Sequence, residues 1–216
     1  MEAMSVIQRE HRAIAAVVHC FEQLLRETHS GSLKAPIDVF ELILIYMRDF
    51  PDKLHHPKED DYLFAALEKR APKLKKAIGD LKRQHDEGDR LTIEMLEKLE
   101  VLKADPEGAF KDFEQAANEF IEFQRGHLVF EETKVMPTAR KALTEQDWEA
   151  IDAAFADNDD PIFGSAPSAK FDKLFSQIVA TAPEPWGLKS RVFPPHAEDD
   201  TLLHKLRERI LGHDWH

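Results

Sequence analysis

The stretch His55-His56-Pro57-Lys58-Glu59-Asp60-Asp61-Tyr62-Leu63-Phe64 decides how this chain is read, because it has a counterpart in His127-Leu128-Val129-Phe130-Glu131-Glu132-Thr133-Lys134-Val135-Met136. In each, a histidine is followed four residues later by a glutamate: Glu59 after His55, Glu131 after His127. A second acid comes next, Asp60 or Glu132, and a large apolar side chain stands nine residues past the histidine, Phe64 or Met136. On a helix a step of four puts both side chains on one face, about one turn apart. Each stretch therefore presents an imidazole and a carboxylate side by side.

Working outward, both stretches belong to longer amphipathic patterns. The second helical stretch runs from about Ile37 to Leu67, with Phe40, Leu44 and Met47 on its inner stripe. Pro51 and Pro57 inside it predict a kink or bulge. The fourth uses Phe110, Phe113, Ala117, Phe120, Gln124, His127 and Glu131, and stops near Pro137. Two further seams flank them. Ile7, His11, Ile14, Val18, Phe21 and Leu25 alternate in steps of four and three, and Pro72 opens a helix through Leu74, Ile78, Leu81, His85, Gly88, Thr92, Met95 and Leu99. Gly31 with Pro36, and Ala104-Asp105-Pro106-Glu107-Gly108, mark the breaks between helices. Four long helices with short connections predict an all-α, up-down-up-down four-helix bundle over residues 1–140. Residues 141–216 form a C-terminal helical appendage. Thr144-Glu145-Gln146-Asp147 is a helix start before Trp148, Ile151 and Phe155; a short helix carries Phe171, Leu174, Phe175 and Ile178. A proline-rich stretch from Pro183 to Pro195 leads to a last helix with Leu203, Leu206 and Ile210. The appendage is expected to cap the bundle or to join subunits, as in a homodimer.

Composition agrees with this reading. Only 8 of 216 residues are glycine, about half the usual ~7%, which disfavours a turn-dense β sandwich. Glycine-rich phosphate loops are absent. The net charge of −12 argues against nucleic acid and anionic membranes as partners. The longest apolar runs, such as Leu42–Met47, fall far short of the ~20 residues a membrane-spanning helix needs. One cysteine, Cys20, excludes an internal disulfide framework and suits a reducing cytoplasm; it reads as a small buried hydrophobe. With no basic leader in front of an apolar stretch, a cytoplasmic location is expected. Against that ordinary background stand eleven histidines.

Four of them, His11, His55, His85 and His127, fall one per helix on the seams. His11 precedes His55 by 44 residues and His85 precedes His127 by 42, so the chain reads as two copies of a helix pair. Antiparallel packing of the copies would gather four imidazoles and two carboxylates inside the bundle. Burying that many polar groups in a leucine-rich interior without partners is costly, and a metal supplies the partner. The set fits two non-haem iron ions. Each would take two imidazoles, with Glu59 and Glu131 bridging, a solvent-derived oxo or hydroxo group bridging as well, and one position open to dioxygen or nitric oxide. Zinc fits less well, since its structural sites are closed and four-coordinate. No Glu-x-x-His pair of the ferritin type is present, for Asp52 and Gln124 stand three before His55 and His127.

The strings IQREHRAI, HHPKEDDYLF, LKRQHDEGDRL and HLVFEETKVMP resemble the hemerythrin-like, HHE cation-binding family from about Met4 to Pro137. The resemblance implies a four-helix bundle around a di-iron centre with Glu59 and Glu131 as the bridging carboxylates. The oxygen carriers of that family have a fifth histidine from a His-x3-His pair on the third helix, where this chain has Leu81 and Asp89 around His85. They also bridge with an aspartate where this chain has Glu132. The resemblance is therefore to the four-histidine, two-glutamate branch. It implies roles in iron–sulfur repair, iron or oxygen sensing, or nitric-oxide response rather than simple oxygen carriage; iron storage or donation, or repair of iron–sulfur centres, is the alternative reading and would bring a redox or iron-acceptor protein as partner.

Several residues carry two readings. His56 with Asp60 could be the ligand pair in place of His55 with Glu59; the matched distances to Phe64 and Met136 favour His55. Tyr62, seven residues past His55, is expected to face inward, as a gate, a hydrogen-bond donor or plain packing. His19, two turns beyond His11, is a spare ligand or an ordinary surface or core residue. Phe40, Phe113 and Phe120 are expected to wall the site. Asp60, Asp61 and Glu132 read as solvated charge, and His196, His204, His213 and His216 have no assigned role. A metal-free structural bundle is the remaining alternative.

Overall fold

A computed structural model describes residues 2–156, 158–163 and 168–181, with side chains described up to Gln177. The proline-rich stretch, the helix expected around Leu203 to Ile210 and the four C-terminal histidines lie outside the described residues. The helices are α1 (Glu2–His29), α2 (Ile37–Asp49), α3 (His56–Lys58), α4 (Ala65–Arg70), α5 (Lys75–Ala104), α6 (Phe110–Phe130), α7 (Met136–Ala142), α8 (Glu145–Phe155) and α9 (Asp172–Thr181). Among the described residues there is no strand. No described helix is long and apolar enough to cross a membrane.

Four of these form the bundle. α1 packs on α2 and α6, α2 on α5, and α5 on α6, closing the ring of an up-down-up-down bundle. Its connections are short because the breaks fall where the turn residues stand. Gly31 adopts φ +73°, a conformation other residues take at a cost, and the Asp105 carboxylate accepts the backbone N–H of Gly108 at 3.0 Å.

The second and fourth bundle helices are not uniform. α2 passes into a π-helical turn at Pro51–His55, then α3, then a second π turn at Glu59–Phe64 before α4. α6 passes through a π turn at Glu131–Val135 into α7. The bulge expected from Pro51 and Pro57 is thus a pair of widened turns. The stop expected near Pro137 does not occur. Pro137 sits in the first turn of α7, directly after a π turn, where its missing N–H is tolerated and the helix runs on to Ala142.

Apolar side chains gather in two clusters. One holds Phe21, Phe40, Phe113, Phe120 and Leu99; the other holds Ile7, Leu63, Phe64, Met136 and Trp148. On three bundle helices the boundary between the clusters falls at a histidine: Ile7 and Ile14 flank His11, Phe50 and Leu63 flank His55, and Leu81 and Met95 flank His85; on the fourth it falls just past His127, between Leu128 and Val135, at Glu131. The polar layer is therefore sandwiched between two hydrophobic cores.

The segment after Leu143 packs onto this bundle. Thr144 caps α8 with a reciprocal capping box to Asp147, as its sequence predicts. Trp148, Ile151 and Phe155 enter the second cluster, and Ile162, Phe163, Phe171, Leu174 and Phe175 enter the first. Tyr46 on α2 anchors the connection, its hydroxyl donating to Asp160 Oδ2 at 2.6 Å. The other oxygen of Asp160 accepts the backbone N–H groups of Ile162 and Phe163 at 2.7 and 2.9 Å. Burial pushes the Asp160 carboxyl up to about 6. Tyr46→Phe leaves that buried oxygen without its donor, so urea unfolding should show a loss of about 1–3 kcal/mol. An unchanged unfolding midpoint would show that the tie contributes nothing.

Candidate metal centre

Consecutive helix residues point about 100° apart, so His55 and His56 aim to different sides of the bundle axis. Both reach the interior, at 1% and 6% exposure. The two histidines between which the sequence left alternatives open thus enter the same interior layer. His11 and His55 face each other, Nε2 to Nε2, at 3.1 Å. His56 stacks on His85 with ring centroids 4.2 Å apart and lies edge-on to His127 at 5.4 Å. Two groups result, His11 with His55 and His56 with His85 and His127, and each forms with its neighbours a set of ligand atoms mutually within 4.8 Å.

Glu59 and Glu131 lie between the groups, both essentially without exposure. Glu59 Oε1 is 3.5 Å from His11 Nε2, and its Oε2 is 3.4 Å from His55 Nε2 and 3.7 Å from His85 Nε2. Glu131 Oε2 is 3.4 Å from both His11 and His127 Nε2, and Oε1 is 3.8 Å from His85 Nε2. All four carboxylate oxygens, and Nε2 of His85 and His127, are buried without a hydrogen-bond partner. Polar atoms left in this state inside a close-packed bundle mark a place built for something else to occupy.

The outer edges of the rings are held. With the proton on Nδ1, His11 donates to Glu132 at 2.7 Å, His55 to Glu10 at 2.8 Å, His85 to Asp60 at 3.1 Å and His127 to Gln84 at 3.1 Å. His56 Nδ1 points toward Asp52 at 3.7 Å, too far for a hydrogen bond. This arrangement fixes the tautomer, leaves Nε2 free as a ligand and raises the basicity of the ring.

The charges follow from the packing. Burial works against a charged His85, but the hydrogen bond to Asp60 and the nearby Glu131 and Glu59 carboxylates prevail and hold its pKa at about 10. Burial opposes charge on His11 too, yet Glu132, Glu59 and Glu131 keep its pKa well above the ordinary value. His56 goes the other way, pushed well down by burial and by the imidazoles around it. Against burial, His127, His85 and His11 pull Glu131 down to about 2. Burial and Asp89 raise Asp52 to about 7.

All six seam residues, His11, His55, Glu59, His85, His127 and Glu131, therefore meet in one layer. Other expectations change. Tyr62 is 44% exposed and faces outward. It lies in a π turn, where each residue rotates less than on an α-helix, so seven residues fall short of two full turns. His19 lies away from the centre, 26% exposed beside Glu22. Phe40 and Phe113 stack on each other in the first hydrophobic cluster. Phe113 is 14 residues before His127, about 21 Å along the helix, too far to wall the centre. The rings against the imidazoles are Phe64 on His85 and Phe50 and Phe155 on His55.

Sequence reasoning missed the outer partners. Asp60 and Glu132, read as solvated charge, each follow an interior glutamate by one residue, and that one step carries them to the outer edge of a histidine ring. Their repetition in the two motifs was the available signal. Asn158 had none. It donates from Nδ2 to Glu10 Oε2 at 3.2 Å across 148 residues of sequence, tying the segment after α8 to the partner of His55.

The hemerythrin HHE cation-binding domain matches residues 3–139. The matched span holds the five histidines and both glutamates, and it ends before α8, so Phe155 and Asn158 come from outside it. No curated protein and no solved structure matches the chain. A cation-binding layer of histidine and glutamate between two cores, on helices that the domain match covers nearly end to end, places this chain in the hemerythrin HHE cation-binding family.

Proposed function

We propose that the chain is a non-haem di-iron protein that binds dioxygen or nitric oxide at an open iron position. The observation that carries this reading is the unequal division of imidazoles, three on one side of the two glutamates and two on the other. His56, His85 and His127 would hold one iron, with Glu59 and Glu131 shared between it and the second. His11 and His55 would hold the second iron with one imidazole fewer, which would leave it room for a small ligand. Iron supplies reversible electron transfer to a small diatomic ligand at that position.

The chain's own residues define the chemistry around it. Glu10 and Glu132 orient His55 and His11 on the open side, and Phe50 and Phe155 exclude water there. Storage or donation of iron would call for ligands that release readily. Four imidazoles locked from outside by hydrogen bonds argue instead for metal that stays.

The test is metal analysis after anaerobic purification, followed by absorption spectra with dioxygen, nitric oxide and azide. Two irons per chain and a reversible, ligand-dependent spectrum are expected. Absence of stoichiometric iron would remove the reading, and a spectrum indifferent to all three ligands would remove its diatomic part.

A further inference from the structure

A chain with a net charge of −12 carries, in residues 69–83, seven Lys or Arg and a single acid. Arg70, Lys82 and Arg83 are engaged with Asp147, Glu68 and Asp80. Lys69, Lys73, Lys75 and Lys76 are exposed and make no ion pair among the described residues. They cover the end of α4 and the start of α5, where a groove of about 430 Å³ lies between α5 and the end of α6. Lys73 and Lys76 stand on its rim beside Asp80, whose carboxylate is paired with Arg83; Ala77, Leu81 and Phe130 give it an apolar floor, and Gln84 lines it. An apolar floor with a charged rim is the anatomy of a protein docking surface.

What lies under the groove narrows the partner. Gln84 is the residue that holds His127, so one side chain and one hydrogen bond separate the groove from a ligand of the proposed centre. Asp60 and Glu132 also connect rings to the surface, but their carboxylates repel an acidic approach. The lysine-rimmed groove offers attraction and a short path together.

We propose that this groove docks an acidic one-electron carrier protein, which reduces the centre through Gln84 and His127. The proposal rests on the di-iron reading. In each encounter one electron leaves the carrier, which departs oxidised by one, and one ferric ion becomes ferrous; no bond is made or broken. Two encounters take the diferric centre to diferrous. The lysines contribute steering, which raises the association rate and falls as salt screens it.

The experiment uses the full chain with two acidic carriers as probes, a plant-type [2Fe–2S] ferredoxin and a flavodoxin. Binding is measured by calorimetry with and without metal, and reduction by stopped flow on iron-loaded protein. At least one carrier should bind, with affinity falling about tenfold or more between 20 and 200 mM salt. Lys73→Glu with Lys76→Glu should lose about tenfold or more in affinity at low salt while keeping helical content and iron. Gln84→Leu, compared with wild type at saturating carrier and equal iron content, should accept electrons more slowly. Failure of both carriers to bind, binding unaffected by the lysine substitutions, or tighter lysine-dependent binding to phosphatidylserine vesicles or duplex DNA overturns the docking surface. Because binding is also read without metal, a chain lacking iron refutes the di-iron reading separately. Binding without reduction of iron-loaded protein overturns the electron path.

Discussion

Glu131→Ala, and equally Glu59→Ala, is expected to leave the purified protein with fewer than about one iron per chain in place of two. Each carboxylate lies within reach of ring nitrogens from both imidazole groups, so its removal would take a ligand from both ions of the proposed centre at once. Loss of a ring's outer hydrogen bond should be milder. Glu132→Ala, which frees His11, should weaken metal binding by about 10–100-fold while allowing two irons to load at excess. Elemental analysis on freshly purified protein, with circular dichroism to confirm the helices, separates the two effects. Two irons retained in both glutamate variants would refute the bridging assignment.

Removing the metal should lower the melting temperature by about 10 °C. A ligand present at a thousand times its dissociation constant stabilises the fold by about 4 kcal/mol, and a chain of this length shifts by about 2–4 °C per kcal/mol. The size of the gap should depend on pH. In the metal-free protein, burial opposes charge on His85, but Asp60 and Glu131 hold its pKa at about 10, above the ordinary imidazole value. A raised folded-state pKa contributes stability that is complete below about pH 6.5 and is lost as pH rises toward 10. Metal must displace that proton, so its binding strengthens over the same range. The difference between loaded and chelated protein should therefore widen from pH 6.5 to 9 in calorimetric scans. A gap that narrowed would mean that His85 is neutral without metal.

The bundle was legible because its evidence is periodic. His11, His55, His85 and His127 sit at positions that a 3.6-residue repeat assigns to the core, and Glu59 and Glu131 follow on the same face. What was not legible lies where that repeat is broken or where distance in sequence is large. Tyr62 was misplaced because counting assumed uniform turns through Glu59–Phe64. His56 could not be separated from His55 by spacing, since both enter the interior on opposite sides of one axis. Asp60 and Glu132 look like solvated acids until the helix that supplies their histidine is brought alongside. The basic stretch around Lys73 vanishes in a whole-chain charge of −12, and Asn158 meets Glu10 only through the tertiary fold.

The widened turns beginning at Glu59 and Glu131 settle a conflict of phase. On a straight helix Leu63 and Val135, four residues past the carboxylates, would stay on the face of the polar layer, but Phe64 and Met136, five past, would be carried about 140° away at 100° per step. Delaying that rotation for one turn lets Glu59 and Leu63 with Phe64, and Glu131 and Val135 with Met136, be buried along the same rod. The cost is an interrupted backbone ladder on the two helices that give both imidazole and carboxylate. α1 and α5 give one histidine each and run unbroken. Half the bundle thus keeps an unbroken backbone ladder, while the other half carries local defects that allow one helix to serve a polar layer and an oily one in successive turns.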